Sequence, residues 1–313
     1  MKKIAILGEC MIELNGQPFG EMRQAYGGDT LNTATYLSRI SPQAQVEIHY
    51  VSALGTDKLS RGMLAHWQAD NIKTNTVLLD DAHQPGLYLI QLDQQGERTF
   101  LYWRNQSAAR YLLKHHDYPQ VLAALAQMDM IYLSGISLAI LPPEDRETLI
   151  AQLTELAEQG VEIVFDSNYR ANLWNNAEET RRIYTALLPI VSLALVTFED
   201  EQAVWQDESV QATIDRLSAS GVKNIVVKQG KCGAFFRDFS GNQAQVTTVA
   251  VDNVVDTTSA GDSFNAGFLN GYLQDKPLDH CCRQGNAVAA VVIQHKGAII
   301  TSSATAHFIN EFN

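Results

Sequence analysis

Short apolar runs, several of them rich in β-branched residues, alternate along the chain with longer segments whose apolar residues recur at helical spacing. The apolar runs predict buried strands at residues 4–7, 130–133, 163–165, 194–196 and 225–227. The longer segments predict amphipathic helices at residues 144–158, 178–188 and 210–220. Because strand and helix alternate, we expect right-handed βαβ units and a mostly parallel sheet that is sandwiched by helices.

Two segments depart from this alternation. Residues of about 11–26 and 86–104 alternate as strands do, so that Leu87 and Tyr88, for example, fall on opposite faces, and no helical pattern lies within either segment. The pattern predicts a small β-sheet packed beside the main domain. The alternative is an extra hairpin at the edge of the main sheet. Since no repeat or linker-like run interrupts the sequence, residues 1–313 are expected to form one unit.

Composition and charge narrow the range of partners. At 313 residues and 46% hydrophobic content, the chain can bury a large core. The net charge of −12 argues against nucleic-acid and membrane-surface partners, which are polyanionic, so an anionic substrate has to be held locally by Arg or Lys. No apolar run has the length of a membrane span and the N-terminus does not resemble a signal peptide, so we expect a cytoplasmic protein. The cysteines lack metal-ligand spacing and are expected to be reduced.

The segment DTTSAGDSF at residues 256–264 has the properties of a phosphate site with a base beside it. Ser259, Ala260 and Gly261 are small enough for a polyphosphate to approach the backbone, and the free N–H groups at the start of the following helix attract an anion. Asp262 stands where it can take a proton from an attacking hydroxyl. The alternative is an Asp that merely caps a helix.

This segment resembles the C-terminal signature of the PfkB, or ribokinase-like, carbohydrate kinases, and GGDTLN at residues 27–32 resembles the N-terminal element of the same family. The two matches lie far apart and in the family's order. One departure is Ser259, where the family commonly has Gly. The resemblance implies a ribokinase-like fold, a small sheet that covers the sugar as a lid and often forms a dimer interface, and Asp262 as the catalytic base.

Substrate recognition is indicated by aromatic and basic residues on the second strand-like segment. Tyr102 and Arg104 share a face with Phe100, and a Tyr hydroxyl beside a guanidinium suits a sugar acid. Arg170, after a predicted strand, is a second candidate for the carboxylate, or else it neutralises nucleotide phosphates. The alternative for either Arg is a surface ion pair. A neutral sugar needs no guanidinium, so this pair indicates an acidic sugar.

Within the family, the pattern is similar to the kinases that phosphorylate the terminal hydroxyl of 2-keto-3-deoxygluconate. The resemblance implies a set of substrate contacts: Gly28, Asn32, Tyr88, Tyr102, Arg104, Arg170 and Asp262. The sequence does not separate this sugar from its galactonate epimer. Kinases of fructose or ribose, and a non-catalytic sugar-binding regulator on the same fold, remain alternatives.

The nucleotide side depends more strongly on the resemblance, which implies ATP and Mg²⁺ as cofactors. The implied ATP contacts are Asn168, Arg170, Lys228, Gly230, Gly233, Ser259, Ala260, Gly261 and Asn286. There is no Walker A motif. We interpret the acidic residues 199–201 as a solvated helix start, so no magnesium ligand is assigned. Asp256 and Thr258 resemble a monovalent-cation site, for K⁺ for example, and a homo-oligomer through the lid is expected.

Overall fold

A computed structural model describes residues 1–92 and 98–312, apart from the side chains of Leu92 and Arg98. The strands are β1 (Lys2–Leu7), β2 (Met11–Gly16), β3 (Met22–Gly27), β4 (Val46–Gly55), β5 (Val77–Asp80), β6 (Leu87–Leu92), β7 (Arg98–Trp103), β8 (Met130–Ser134), β9 (Glu162–Asp166), β10 (Val191–Thr197), β11 (Asn224–Lys228), β12 (Ala234–Arg237) and β13 (Gln243–Val246). Asp93 and Glu97, which the sequence pattern assigns to the small sheet, lie outside the described residues.

The helices include those that the periodicity predicts, with ends that agree within one residue. They are α1 (Asp29–Ile40), α2 (Lys58–Ala69), α3 (Tyr118–Leu125), α4 (Gly135–Ala139), α5 (Pro143–Glu158), α6 (Ala177–Leu187), α7 (Phe198–Trp205), α8 (Val210–Ala219), α9 (Ala260–Tyr272), α10 (Leu278–Val292), α11 (Ser302–Thr305) and α12 (Phe308–Glu311). Short 3₁₀ turns are found at Ala108–Lys114, Ala171–Leu173, Leu188–Ile190 and Gly230–Cys232. No helix in the described ranges is long and apolar enough to cross a membrane.

Within the described residues, the main sheet has nine strands in the order β13-β12-β11-β10-β9-β8-β1-β4-β5. All neighbours from β11 to β5 are parallel, and β12 and β13 are antiparallel at one edge. Successive side chains of a strand point to opposite faces, so Ile4 and Ile6 pack in one hydrophobic cluster, whereas Ala5 and Leu7 pack in a second cluster on the other face. Two apolar cores thus cover the sheet, and the predicted parallel architecture is confirmed.

A separate four-stranded sheet has the order β3-β2-β6-β7. Strand β2 pairs antiparallel with β3 and parallel with β6, and β6 pairs antiparallel with β7. The small sheet is therefore confirmed, and the alternative of an edge hairpin on the main sheet is wrong. Since β1 and β2 are joined directly, the small sheet stands next to the carboxyl edge of the main sheet.

Candidate active site

A cleft of about 500 Å³ lies between the carboxyl edge of the main sheet and the small sheet. The predicted residues that line it are Gly28, Asn32, Tyr88, Tyr102, Arg104, Asn168, Arg170, Lys228, Thr258, Ser259, Ala260, Gly261 and Asp262. A hollow of about 590 Å³ between β3, α2 and residues 296–299 contains none of them. Ligands of parallel sheets bind beyond the carboxyl ends of the strands, so the chemistry assigns the smaller cleft as the site.

Asp262 lies in the first turn of α9, and its surroundings join the two sequence motifs. Asn32 Nδ2 donates a hydrogen bond to Asp262 Oδ2 at 2.8 Å, and Thr33 Oγ1 donates to the Asp262 carbonyl oxygen at 3.2 Å. Ser259, before the helix, has a φ of 65°, a left-handed conformation that explains why the family commonly has Gly there. The first N–H groups of α9 therefore border the cleft beside the carboxylate.

The pKa of Asp262 is raised to about 7 by burial of its carboxylate and then by the charges of Asp29 and Asp166, while the bond from Asn32 acts in the opposite direction. Although the residue opens onto the cleft, protein atoms surround most of the carboxylate. A base whose pKa lies near the working pH accepts a proton efficiently and still carries a substantial charged fraction.

Next to the start of α9, a buried hydrogen-bond network contains the positively charged ammonium group of Lys228. Lys228 Nζ lies 3.3 Å from Asp166 Oδ2 and 3.0 Å from Asn265 Oδ1, and Asn265 Nδ2 donates to the same Asp166 oxygen at 2.8 Å. A Cβ on Gly261 would come within 3.7 Å of Nζ. The ammonium group is thus fixed next to the small-residue turn, where a phosphate would need compensation for its charge.

Asn168 and Arg170 follow β9 and reach different partners. Asn168 has a φ of 29° and donates from Nδ2 to Asp29 Oδ2 at 2.7 Å. Arg170 is half exposed, donates to the carbonyl oxygen of Tyr169 and lies 4.0 Å from Asp200. This contact with Asp200 is long and the guanidinium is half exposed, so Arg170 can also reach an anion in the cleft.

The interpretation of residues 199–201 as a solvated helix start is wrong for two of the three. Glu199 is exposed, but Asp200 lines the cleft and Glu201 is buried against Arg216. The pKa of Asp200 is raised to about 6 by burial and then by the charge of Asp166. The sequence interpretation missed both carboxylates, although each stands at or near the end of a parallel strand.

On the side of the small sheet, aromatic residues of β6 and β7 form a face of the cleft. The ring of Tyr88 lies 6.1 Å from that of Tyr102 and 6.2 Å from that of Phe100. The Tyr88 hydroxyl donates to Glu13 on β2, so its hydrogen is already used within the small sheet.

At Gly28, a Cβ would lie 2.1 Å from the carbonyl oxygen of Glu9, so this close approach of the two backbone segments requires glycine.

Arg104 contacts a carboxylate that belongs to the protein. Its Nε donates to Glu9 Oε2 at 2.8 Å, and Nη2 donates to the same oxygen. Both side chains line the cleft, yet both are almost fully buried. For Arg104, the alternative of a surface ion pair is therefore wrong, because its pair with Glu9 is buried.

Four predicted residues lie outside the cleft lining. Gly233 has a φ of 90°, and Asn286 Nδ2 donates to the carbonyl oxygens of Val246 and Thr247 at 3.3 and 3.4 Å. Gly230 faces open space. Asp256 accepts from the backbone N–H groups of Thr258 and Gly297 at 3.0 and 2.8 Å, which ties the start of the motif to the loop after α10.

The cleft has the features of a carbohydrate kinase site, with Asp262 at the start of a helix and aromatic and basic residues on the small sheet. The chain belongs to the family described as pfkB family carbohydrate kinase, whose model matches residues 1–305. A 2-dehydro-3-deoxygluconokinase from Haemophilus influenzae is 63% identical over 314 residues, which is 100% of each chain. A 2-dehydro-3-deoxygluconokinase from Escherichia coli is 41% identical and the match covers 97% of this chain and 98% of its own.

Solved structures confirm the expected ribokinase-like fold. The crystal structure of a fructokinase from Xylella fastidiosa superimposes with a TM-score of 0.81 at 20% identity, over 99% of this chain and 98% of the fructokinase. At that identity, the match concerns the fold and not the substrate.

Proposed function

We propose that this protein transfers the γ-phosphoryl group of ATP to the terminal hydroxyl of 2-keto-3-deoxygluconate, giving 2-keto-3-deoxy-6-phosphogluconate and ADP. The full-length 63% identity to a 2-dehydro-3-deoxygluconokinase carries this proposal, since that name denotes the same keto-deoxy acid. The cleft adds a chemical reason, because it combines a base, an anion site and a second basic region for a carboxylate.

Asp262 acts as the general base. It takes the proton of the terminal hydroxyl as the hydroxyl oxygen bonds to the γ-phosphorus and the bond to the ADP oxygen breaks. The bond from Asn32 orients the carboxylate, and the pKa near 7 supports the transfer. The N–H groups of Gly261 and Asp262, in the first turn of α9, compensate the charge on the transferring phosphoryl oxygens, whereas the N–H of Ala260 donates to the carbonyl oxygen of Thr257 at 3.1 Å.

Asp166 and Asp200 fit Mg²⁺, which prefers carboxylate oxygens and phosphates. Oδ1 of Asp166 is buried and accepts no hydrogen bond from the described residues, and Asp200 lines the same cleft, where burial and then the charge of Asp166 raise its pKa. When bound, the ion neutralises phosphate charge. Lys228 supplies a fixed positive charge on the same side.

The remaining ATP contacts stay part of the proposal. Asn168 and Arg170 border the phosphates from β9, and Gly230, Gly233 and Asn286 form the more distant nucleotide side. Asp256 and Thr258 are proposed to hold a monovalent cation through backbone and carboxylate oxygens near the anion site.

For the sugar, Gly28, Asn32, Tyr88, Tyr102 and Arg104 surround the proposed pocket, and Arg170 lies toward the phosphates. Closure of the small sheet over this pocket would exclude water, which competes as phosphoryl acceptor.

A cytoplasmic location stays a prediction. An intact base beside a helix N-terminus favours catalysis over a sugar-binding regulator.

Replacing Arg104 by Leu tests the acidic-sugar assignment. We expect kcat/KM for 2-keto-3-deoxygluconate to fall about 10–150-fold, the range for one charge-assisted hydrogen bond, while KM for ATP hardly changes. Arg182→Leu is the matched control, because Arg182 is an exposed partner of Glu147 outside the cleft.

The decisive measurement is ATP consumption on a panel that contains the keto-deoxy acid, its galactonate epimer, fructose and ribose. The ratio of acid to neutral-sugar activity should fall in Arg104→Leu and stay constant in Arg182→Leu. A parent that prefers fructose or ribose would contradict the proposed substrate.

We also propose that two copies associate through the small sheet. Tyr102 and Phe100 face the cleft, so alternation places Leu101 and Trp103 on the other face, where they are 43% and 58% exposed. An apolar face on an edge strand is a typical association surface.

A further inference from the structure

Glu9 and Arg104 form a buried ion pair at the sugar side of the cleft. The side-chain exposures are 1% for Glu9 and 9% for Arg104. Glu9 directly follows Gly8 at the end of the first strand of the main sheet, whereas Arg104 directly follows the last strand of the small sheet. The pair therefore joins the main domain to the small sheet within the proposed sugar pocket.

The geometry determines which edge of the guanidinium stays available. A guanidinium has five N–H donors. Glu9 Oε2 accepts one hydrogen bond from Nε of Arg104 and one from Nη2, and these two nitrogens form the side-on edge of the guanidinium. Nη1 makes no hydrogen bond to the described residues, so Nη1 and the outer hydrogen of Nη2 remain as an end-on fork. Such a fork matches the two oxygens of a carboxylate.

We propose that Glu9 is a positioning residue that holds Arg104 with its end-on edge presented to the carboxylate of the sugar acid. This inference rests on the proposed function, which it extends to a specificity-determining residue. Without Glu9, the long Arg side chain would sample several rotamers, and binding a carboxylate would have to restrict them.

Two observations support a functional role for the pair. Oε1 of Glu9 is buried and has no hydrogen-bond partner among the described residues, which is an unfavourable state for a carboxylate oxygen in a purely structural contact. Moreover, a Cβ on Gly86 would lie 2.8 Å from this Oε1 and 3.2 Å from the Cβ of Arg104. Glycine at position 86 thus leaves the space in which the pair fits.

The test compares Glu9→Ala and Glu9→Gln in the parent and in the Arg104→Leu background. Glu9→Ala should raise KM for 2-keto-3-deoxygluconate about tenfold or more, with KM for ATP unchanged. Glu9→Gln keeps an oxygen that accepts from Nε and should restore most of the affinity. In the Arg104→Leu background, Glu9→Ala should have almost no further effect on KM, because the group that it positions is gone.

The control is Glu179→Gln, since Glu179 also pairs with a buried arginine, Arg146 at 2.8 Å, but outside the cleft. It should leave KM for the sugar unchanged. An unchanged KM in Glu9→Ala, or an equal loss with and without Arg104, would overturn the proposal.

A readout without substrate separates this inference from the proposed function. The Nε–H of Arg104 should give a protected signal in ¹H–¹⁵N spectra, assigned by its loss in Arg104→Leu. That signal should exchange rapidly with water in Glu9→Ala and persist in Glu179→Gln. Failure of the parent to phosphorylate the keto-deoxy acid would contradict the proposed substrate, whereas a signal that stays protected in Glu9→Ala would contradict the positioning role.

Discussion

The surroundings of Asp262 suit its proposed role as the base. Burial raises the pKa of this carboxylate most strongly, and the charges of Asp29 and Asp166 raise it further. The hydrogen bonds that hold those two carboxylates come from Asn168, Asn265 and Lys228. The anionic form of Asp262 is thus held in an environment rich in negative charge, which increases its affinity for a proton.

Asp262→Asn tests this role, because it preserves size and removes the base. We expect kcat to fall about 10²–10⁴-fold, with KM for the sugar changed little. Asp279→Asn is the control, since Asp279 is a first-turn carboxylate of another helix, α10, paired with Arg283. Near-parental kcat in purified Asp262→Asn would show that this residue is not the base.

The raised pKa of Asp262 also predicts the pH dependence of the reaction. The base works when it is deprotonated, and with a pKa of about 7 the protonated fraction increases as the pH falls below that value. We therefore expect kcat/KM for the sugar to decrease toward tenfold per pH unit below about pH 7 and to level off above it. A flat profile between pH 5 and pH 8 would contradict the elevated pKa.

The sequence predicts the candidate site residues whose neighbours along the chain carry a pattern, but it does not predict those whose neighbours are close only in the folded chain. Asp262 was predicted because small residues precede it at a helix start. Glu9 and Asp200 have no such local signal. Glu9 pairs with Arg104 and Asp200 lies near Asp166, and both of these neighbours are distant in sequence. Their position after parallel strands was the available signal.

At the scale of elements, the buried parallel strands were predictable because β-branched runs covered on both faces are almost continuously apolar. Strand β13, Gln243–Val246, was not, because three of its four residues are exposed and its pattern is polar. An edge strand gains its stability from pairing with a neighbour, in this case β12, and that pairing leaves little trace in the composition.

The loop between β11 and β12 provides a test of backbone conformation. Gly233 has a φ of 90°, and a Cβ there would lie 2.2 Å from the carbonyl oxygen of Val246. We expect Gly233→Ala to lower the free energy of unfolding by about 2–4 kcal/mol, through left-handed strain and this clash.

The control for that change is Gly230→Ala in the same loop. Gly230 also has a positive φ, of 51°, but a Cβ there would meet no atom within 4 Å, so the loss should be limited to about 1–2 kcal/mol of strain. Urea unfolding curves measure both values. Equal losses would show that the contact with Val246 relaxes without cost.

At the scale of the whole molecule, the position of the cleft follows from connectivity. The described chain passes between the main domain and the small sheet four times, from β1 to β2, from β3 to α1, from β5 to β6 and after β7, so one wall of the cleft is attached through four connections. Glu9 and Arg104 stand at the first and the last of these connections. Any movement of the small sheet therefore moves the Arg104 guanidinium, which is proposed to bind the carboxylate of the substrate.

The exposed face of the small sheet leads to a prediction about assembly. Trp103→Glu places a charge on the apolar face and should convert the expected dimer to a monomer, because burying an unpaired charge at an interface is strongly unfavourable. Phe239→Glu is the control, since Phe239 is 77% exposed but lies in the turn between β12 and β13. Sedimentation equilibrium at micromolar concentrations measures both. A monomeric parent, or a Trp103→Glu variant that remains dimeric, would contradict association through this face.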